Sequence, residues 1–258
     1  MASRVRADDR LIALGLATSR AEAARLFLAG LVYDGTQRID KASEKIGADA
    51  ALAVRERPRF VSRGGTKLDA ALERFGIDVA GAVCLDAGCS TGGFTHCLLT
   101  RGAARVYAVD VGYGQFAWQL RNDPRVVLME RTNIRAVDAS KLDPLPSIVV
   151  ADLSFVSLTS VLPRMAALAA LDAVLVLLIK PQFEVGPDHL EDGIVTDEQV
   201  RRLAVTAVHD RACECGLVTR GIMESPIQGT EGNVEYLMVA DKISRADRRG
   251  TRFDRGQR

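Results

Sequence analysis

Two lysines and two carboxylates lie at or near the ends of predicted strands and helices, in positions that suit catalysis. Asp152 and Lys180 each follow a continuous apolar run of the kind that forms a buried strand. The carboxyl ends of neighbouring parallel strands meet at one edge of a sheet, so we expect both side chains to face one cleft. Glu235 begins a later predicted strand, and Lys67 lies near the start of a predicted helix. These four form a predicted catalytic quartet, although a strand-end lysine can also snorkel to solvent.

This combination of residue types suits the activation of an alcohol. A neutral hydroxyl is a poor nucleophile, and a free lysine, with a pKa of about 10.4, is seldom neutral enough to act as its base. A second ammonium group and partial desolvation lower the pKa of such a lysine. In this interpretation Lys67 is either that second ammonium or the group that orients the hydroxyl, while Asp152 and Glu235 hold the lysines. Proximity of the reacting groups supplies much of the remaining rate.

A glycine-rich segment, residues 85–94, predicts a cofactor site after the first strand of the sheet. Gly88 allows a sharp turn there. The backbone can approach a ligand closely at three further positions, which are Ser90, Gly92 and Gly93. The spacing departs from G-x-G-x-x-G, which disfavours a dinucleotide and suits a sulfonium with an amino-acid tail. A purely structural tight turn is the alternative.

Acidic side chains accompany this loop and extend the predicted cofactor site. Asp86, at the strand end, is positioned to hold an ammonium group. Asp110 ends the next predicted strand about 20 residues on, where a carboxylate accepts hydrogen bonds from ribose hydroxyls. Phe94 closes the glycine-rich segment, and Asp152 lies at a neighbouring strand end. Both are included among the cofactor-binding candidates.

Apolar periodicity predicts an α/β fold for most of the chain. Residues 148–151 and 174–179 are apolar throughout, which is typical of parallel strands buried on both faces. The predicted strands are 82–87, 105–111, 125–130, 147–152, 173–180, 216–224 and 235–241. The predicted helices are 66–75, 92–101, 115–121, 157–170 and 196–215. We therefore expect a Rossmann-like, mostly parallel sheet of seven strands with helices on both sides.

The first 55 residues predict a separate small α+β unit. Residues 8–17 have a helical apolar pattern, Ser19-Arg20-Ala21-Glu22 forms a capping box for a second helix, and Asp34-Gly35 marks a hairpin turn. The predicted organisation is a small domain over 1–55, a stiff linker over 56–60, a larger α/β domain over 61–243 and a disordered basic tail over 244–258.

Charge is distributed unevenly along a chain whose net charge is +1. Residues 1–67 carry 13 Lys/Arg against 8 Asp/Glu, residues 68–241 carry 14 against 23, and residues 242–258 carry 7 against 2. Basic ends around an acidic body predict contact with a polyanion, with a merely solvated basic surface as the alternative. The arginines assigned to this contact are Arg4, Arg6, Arg20, Arg25, Arg57 and Arg63.

Composition also excludes several classes of protein. The five cysteines are odd in number and include no C-x-x-C pair, which argues against a zinc site or a disulfide framework and favours a reducing cytosol. The N-terminus lacks the apolar core of a signal peptide, and no apolar stretch reaches the roughly 20 residues that span a bilayer. We expect a cytoplasmic protein without a metal and without membrane contact.

A sulfonium cofactor donates a methyl group, and the residues that follow Asp152 indicate which kind of atom accepts it. The segment Asp152-Leu153-Ser154-Phe155 lacks the D/N-P-P-Y/F pattern associated with methylation of exocyclic nitrogens, so an oxygen acceptor is favoured over an amine. Phe155 and Phe183 follow the two catalytic strand ends, where they either stack on a base or pack in the core or at the rim. Trp118 is expected to be a packing anchor near the cofactor cleft.

These motifs resemble a known family. The quartet and the glycine loop are similar to those of the FtsJ-type ribose 2′-O-methyltransferases, whose signature is a Lys-Asp-Lys-Glu tetrad. The first unit resembles a small RNA-binding module first seen in a bacterial ribosomal protein. Together with Val61-Ser-Arg-Gly-Gly-Thr-Lys-Leu68 and Lys180-Pro-Gln-Phe-Glu184, this is the arrangement of the TlyA family, and the resemblance covers roughly residues 1–243.

The resemblance implies S-adenosylmethionine as cofactor and 2′-O-methylation of cytidine in 16S or 23S ribosomal RNA, or in both. It implies ribosomal subunits as partners, and we expect a monomer. It places Asn133 where related enzymes often have an Asp near the adenine. Some members sensitise cells to capreomycin, and the family also carries a haemolysin label. The alternatives are a pore-forming haemolysin, a non-catalytic RNA-binding or ribosome assembly factor, and a small-molecule or protein O-methyltransferase.

Overall fold

The computed structural model describes residues 4–55, 59–229 and 231–243. The chain divides into two compact units, Met1–Pro58 and Arg59–Arg258. Arg57, most of the expected linker and the basic tail over 244–258 lie outside the described residues.

The first unit contains two short helices and two small antiparallel sheets. Its elements are β1 (Arg4–Arg6), α1 (Ala7–Ala13), α2 (Arg20–Leu28), β2 (Val32–Asp34), β3 (Gln37–Arg38), β4 (Lys45–Gly47) and β5 (Leu52–Val54). Strand β2 lies between β3 and β5, and β1 pairs with β4. The helices cover a small apolar core that includes Leu11, Phe27 and Val32. The predicted hairpin turn is confirmed, while β1 and β4 are too short for an apolar period to reveal them.

Local capping determines where α2 begins. The Ser19 side chain accepts a hydrogen bond from the backbone N–H of Glu22, at 3.2 Å. The Glu22 carboxylate returns to the backbone N–H of Thr18, at 2.8 Å, one residue earlier than a standard capping box would place it. Gly30 takes a φ of +68° directly after the C-cap of the helix, a conformation typical of a helix end.

The second unit is built on one seven-stranded sheet with helices on both sides. Its elements are α3 (Gly64–Arg74), β6 (Val83–Ala87), α4 (Gly93–Thr100), β7 (Arg105–Val109), α5 (Trp118–Arg121), β8 (Val126–Met129), β9 (Ile148–Ala151), α6 (Leu158–Leu168), β10 (Val174–Ile179), α7 (Pro181–Glu184), α8 (Glu198–Glu214), β11 (Leu217–Glu224) and β12 (Tyr236–Lys242). The strand order is β11-β12-β10-β9-β6-β7-β8. Of the seven strands, β12 alone runs opposite to the others.

Alternate residues of the central strands enter two different apolar cores. In β10, Leu175 and Leu177 belong to the core on one face of the sheet, while Val176 and Leu178 belong to the core on the other. This alternation explains why the strand reads as a continuous apolar run. The Rossmann-like, mostly parallel α/β fold predicted from the sequence is confirmed.

The order of the strands creates a crevice at the carboxyl end of β6. The chain passes from β6 to β7 and β8 on one side, and then returns to β9 on the other side. Such a switch point is where ligands bind in doubly wound sheets. The glycine-rich segment and the residue after β9 therefore meet at the same place.

Some details differ from the sequence prediction. Helix α5 spans only Trp118–Arg121, and the Trp118 side chain is 76% exposed, so the expectation of a packing anchor is wrong. The single-turn helix α7, directly after Lys180, was not predicted. Across the described ranges, no helix is both long and apolar enough to cross a bilayer.

The cap of α2 generates a stability prediction. Replacing Ser19 with Ala removes the acceptor for the Glu22 N–H and should lower the free energy of unfolding by about 1 kcal/mol. Ser19→Asp keeps an acceptor at the same position and should retain most of the stability. Urea unfolding followed by circular dichroism measures both, and equal stability of wild type and Ser19→Ala would contradict the assigned cap.

Candidate functional site

The glycine loop packs directly against the residue that follows β9. Gly88 has a φ of +84°, and a Cβ atom at this position would lie 2.5 Å from the backbone oxygen of Asp152. Its backbone N–H donates to the carbonyl of Val109 at the end of β7. Gly88 therefore lets the loop lie between the ends of β7 and β9, and no residue with a side chain fits there.

Gly92 and Gly93 make room for neighbouring parts of the protein. A Cβ on Gly92, where φ is +93°, would lie 2.6 Å from Cδ1 of Leu120 in α5. A Cβ on Gly93 would lie 2.2 Å from the Ser62 hydroxyl oxygen and 3.0 Å from the Gly65 nitrogen. Their close approach to a ligand, which the sequence predicts, stays a prediction. They allow α5 and the start of α3 to pack on the loop.

A large cavity of about 620 Å³ opens beside the loop, and we call it the loop cavity. Asp110 lines it, accepting hydrogen bonds from the backbone N–H groups of Ser90 at 2.8 Å and Gly112 at 2.7 Å. Asn133 also lines it, and its side-chain oxygen accepts from the backbone N–H of Arg135 at 3.0 Å. The apolar part of the wall is formed by Val109, Ile134, Leu153, Val156 and Val161.

Asp86 lies behind the loop and lines neither this cavity nor the next one. Its side chain is fully buried, and one oxygen accepts a hydrogen bond from the Thr95 hydroxyl at 2.6 Å. The other oxygen has no hydrogen-bond partner among the described residues. Burial raises the pKa of Asp86 to about 7. Its direct contact with an ammonium group stays a prediction.

The predicted quartet comes together around a second cavity of about 230 Å³, the quartet cavity. Lys67 forms an ion pair with Glu235, and Lys180 forms one with Asp152, with 2.7 Å between Nζ and Oδ1. The two cavities share Asp152, together with Gly88 and Ser90. A reacting group in the quartet cavity therefore lies next to whatever occupies the loop cavity.

Strand direction explains how Lys180 and Glu235 reach the same edge. Strand β12 is antiparallel to β10, and Ile179 pairs with Tyr236. The residue after Ile179 and the residue before Tyr236 are therefore neighbours at the edge where β10 ends and β12 begins. Lys67 arrives from α3, one turn after its start at Gly64.

Burial differs between the two ion pairs. Glu235 is 3% exposed and Lys67 is 7% exposed, so that pair is almost fully withdrawn from water. The Asp152 side chain is 24% exposed, and Lys180 also donates a hydrogen bond to the Ser154 hydroxyl at 2.9 Å. The Lys180–Asp152 pair is thus the one with access to both cavities and to solvent.

The sequence prediction missed four residues that line the quartet cavity: Ser62, Gly64, Cys89 and Thr91. It also missed Ser154, the hydrogen-bond partner of Lys180, although the hydroxyl stands two residues after Asp152. Phe94 is buried and lines the quartet cavity as well. Arg63 was assigned to polyanion contact, and it too lines this cavity.

Two aromatic rings lie beside the ends of β9 and β10. The ring centroids of Phe155 and Phe183 are 5.2 Å apart at an interplanar angle of 49°. Phe155 is 92% exposed and has a φ of +61°, which is unusual for a residue with a side chain. The Lys180 Nζ atom lies 5.9 Å from the centroid of Phe183. Phe155 thus belongs to the rim and not to the core.

The basic residues of the first unit are partly neutralised. Arg6 pairs with Asp8 at 2.6 Å, and Arg20 pairs with Asp9 at 2.7 Å. Arg4 donates to the backbone oxygen of Lys45 at 2.8 Å. Arg25 is exposed on α2. Over the parts of the chain that are described, no cluster of three or more His, Cys, Asp or Glu side chains is arranged to hold a metal ion.

The fold and the site together define a methyltransferase of the Rossmann-like class. The sequence profile of the FtsJ-like methyltransferases matches residues 60–242. A protein of Mycobacterium tuberculosis named 16S/23S rRNA (cytidine-2′-O)-methyltransferase TlyA is 51% identical over 241 residues, which cover 92% of this chain and 90% of the relative. The chain therefore belongs to the FtsJ-like methyltransferases and, within them, to the TlyA family.

Two further comparisons carry a haemolysin name. Hemolysin A of Brachyspira hyodysenteriae is 38% identical, with 90% of this chain and 98% of the relative covered. A solved protein of Streptococcus thermophilus, also described as a haemolysin, superimposes with a TM-score of 0.73 at 39% identity. That superposition covers 95% of this chain and 90% of the other.

The close approach of Gly88 to Asp152 generates a prediction about ligand binding. Gly88→Ala places a methyl group against the Asp152 backbone at a positive φ, so the loop must shift and the affinity for S-adenosylmethionine should fall by about tenfold or more. Gly76→Ala is the matched control, because Gly76 also has a positive φ, +62°, and its added Cβ meets nothing within 4 Å. Isothermal titration calorimetry measures both, and unchanged affinity of Gly88→Ala would contradict the described packing.

Proposed function

We propose that this chain transfers the methyl group of S-adenosylmethionine to the 2′-hydroxyl of a cytidine in ribosomal RNA. The observation that carries this proposal is the quartet cavity, in which two lysine–carboxylate pairs face a common space beside the loop cavity. The name of the Mycobacterium tuberculosis relative supports cytidine and ribosomal RNA as the acceptor.

The residues of the loop cavity fit S-adenosylmethionine. A volume of about 620 Å³ lies in the range typical of small-molecule sites. Each carboxylate oxygen of Asp110 already accepts one backbone N–H and keeps a lone pair for a ribose hydroxyl. Asn133 and the apolar wall suit an adenine ring. When bound, this cofactor supplies a methyl group made electrophilic by its sulfonium.

The Lys180–Asp152 pair is assigned to the proton of the acceptor hydroxyl. Lys180 Nζ first passes one proton to Asp152 Oδ1, 2.7 Å away, and as a neutral amine it then takes the hydroxyl proton while the oxygen attacks the methyl group. The proton then leaves to solvent through Asp152, whose side chain is partly exposed. The buried Lys67–Glu235 pair keeps its charges in place and orients the hydroxyl from the other side.

The aromatic pair at the rim supports a nucleotide as the acceptor. Phe155 is almost fully exposed to solvent, and its ring contacts the ring of Phe183. A base can stack on such a ring while its ribose enters the quartet cavity. The assignment of Phe155 to base stacking is part of the proposal, as is the choice of an oxygen acceptor.

The first unit is assigned to RNA binding, with the predicted domain limits 1–55 and 61–243. Exposed arginines on this unit would contact phosphates and position the RNA without reading its sequence. Because Asp9 pairs with Arg20, we expect Arg25 to be the better phosphate contact on α2. We further propose that the protein acts in the cytoplasm as a monomer on ribosomal subunits.

The role of Lys180 generates a kinetic prediction. Lys180→Ala should lower kcat for methyl transfer to ribosomal RNA by about 10²–10⁴-fold, because the hydroxyl loses its proton acceptor. RNA affinity should change by less than about threefold, and the exposed Lys141→Ala serves as the control. Transfer of labelled methyl groups under single-turnover conditions measures the rate. A Lys180→Ala variant that transfers methyl groups at the wild-type rate would contradict this mechanism.

The role of the first unit generates a binding prediction. Arg25→Glu should weaken RNA binding and reduce the slope of log K against log salt concentration by about one. Arg202→Glu makes the same charge change on α8 of the second unit and should leave RNA affinity nearly unchanged. Filter binding over a range of salt measures both variants. If both variants lost the same RNA affinity, the net charge of the protein, and not the position of Arg25 on α2, would determine binding.

A further inference from the structure

The ends of β9 and β10 are joined at two levels. The inner level is the contact of Lys180 with Asp152 and Ser154. At the outer level, the Glu184 carboxylate accepts hydrogen bonds from the Ser157 hydroxyl at 2.6 Å and from the backbone N–H of Leu158 at 2.8 Å. The inner contact carries the proposed proton transfer, whereas Glu184 of the outer contact takes no part in that transfer.

Helix α7 separates Lys180 from Glu184 by a single turn. It begins at Pro181, and the N–H of Val185 bonds to the carbonyl of Pro181. Lys180 is the N-cap residue, with an extended backbone, and Glu184 is the last residue of the turn. Both side chains contact the same neighbouring segment, residues 152–157, which we call the acceptor loop.

The acceptor loop cannot hold its shape alone. Within the described parts of the chain, no backbone-to-backbone hydrogen bond involves Leu153–Val156. Phe155 also occupies a left-handed backbone conformation that costs a residue with a side chain of the order of 1 kcal/mol. Such a conformation persists only where surrounding contacts determine it. Those contacts include the packing of Leu153 and Val156 on the apolar core, the Lys180–Ser154 hydrogen bond, the Phe155–Phe183 ring contact and the two hydrogen bonds to Glu184.

The position of Glu184 suits a carboxylate that anchors a helix start. Ser157 is the N-cap of α6, and Leu158 is its first residue. A negative charge is favourable at a helix N-terminus, where backbone N–H groups point outward. Burial nevertheless raises the pKa of Glu184 above its usual value, so the site carries a desolvation cost. A hydroxyl cap alone would have been sufficient to start α6.

We propose that Glu184 is a positioning residue for methyl transfer. Its carboxylate holds the acceptor loop against α7, so that Asp152, Ser154 and Phe155 keep their places around Lys180. The inference rests on the proposed function, because it treats the loop as the part that receives the acceptor nucleotide. Glu184 itself lines neither cavity.

Three variants separate positioning from stability. Glu184→Ala removes both hydrogen bonds and should lower kcat by about 100-fold, the cost of a displacement of about 1 Å near the reacting groups. Glu184→Gln can accept from Leu158 and donate to Ser157, so its kcat should stay within about fivefold of wild type. Asp197→Ala is the matched control, because Asp197 caps α8 through the backbone N–H of Gln199 at 2.7 Å. It should lower the melting temperature without lowering kcat.

The measurement combines single-turnover methyl transfer to ribosomal RNA with calorimetric affinity for S-adenosylmethionine and with thermal unfolding. We expect Glu184→Ala to lose much more in kcat than in cofactor affinity, because the acceptor loop forms only part of the wall of the loop cavity. Equal kcat for Glu184→Ala and Asp197→Ala would overturn the inference, as would a loss in Glu184→Gln as large as that in Glu184→Ala. If Glu184→Ala does not fold, Glu184→Asp keeps the charge but not the reach, and full activity of that variant would overturn it.

These outcomes stay distinct from a failure of the proposed function. If wild-type protein transfers no methyl group to ribosomal RNA, the proposed function is wrong whatever the variants do. If wild type is active and Glu184→Ala matches it, only the role of Glu184 is wrong.

Discussion

Two ammonium groups held against two carboxylates at one edge of the sheet are the constraint on which the catalytic unit depends. Withdrawing charges from water is costly, most of all for the buried Lys67–Glu235 pair, and an ion pair repays that cost only if each charge keeps its partner. Deleting one partner of a buried pair such as Lys67–Glu235 typically costs about 3–5 kcal/mol. In the proposed mechanism, this cost is offset because paired lysines keep a fixed geometry toward the quartet cavity, and a fixed geometry is what an in-line transfer requires.

The arrangement of strands follows from the same constraint. Parallel strands alone would bring only residues after strand ends to this edge. The antiparallel strand β12 begins there, so Glu235 arrives from the opposite chain direction, beside Lys180. The glycine loop completes the arrangement, because Gly88 permits contact with the Asp152 backbone and Gly93 permits contact with the start of α3. Through these contacts the loop cavity and the quartet cavity share one wall.

The sequence predicted the fold and the members of the quartet because both leave local signals. A charge directly after an apolar run, as at Asp152 and Lys180, marks a strand end whatever the tertiary structure. The pairing of Lys67 with Glu235 could not be predicted, since it depends on how α3 packs on β12. Trp118 was misjudged because an aromatic side chain carries no signal for which face of a short helix it occupies. Helix α7 is too short for an apolar period to detect.

The most direct test of this account is nucleoside mass spectrometry of 16S and 23S ribosomal RNA after incubation with the purified protein and S-adenosylmethionine. A quartet that activates an alcohol should produce 2′-O-methylcytidine, which should be missing when the protein is omitted. Methyl groups found on a base, or a correctly folded protein that yields no methylated nucleoside from either RNA or its subunit, would contradict the account.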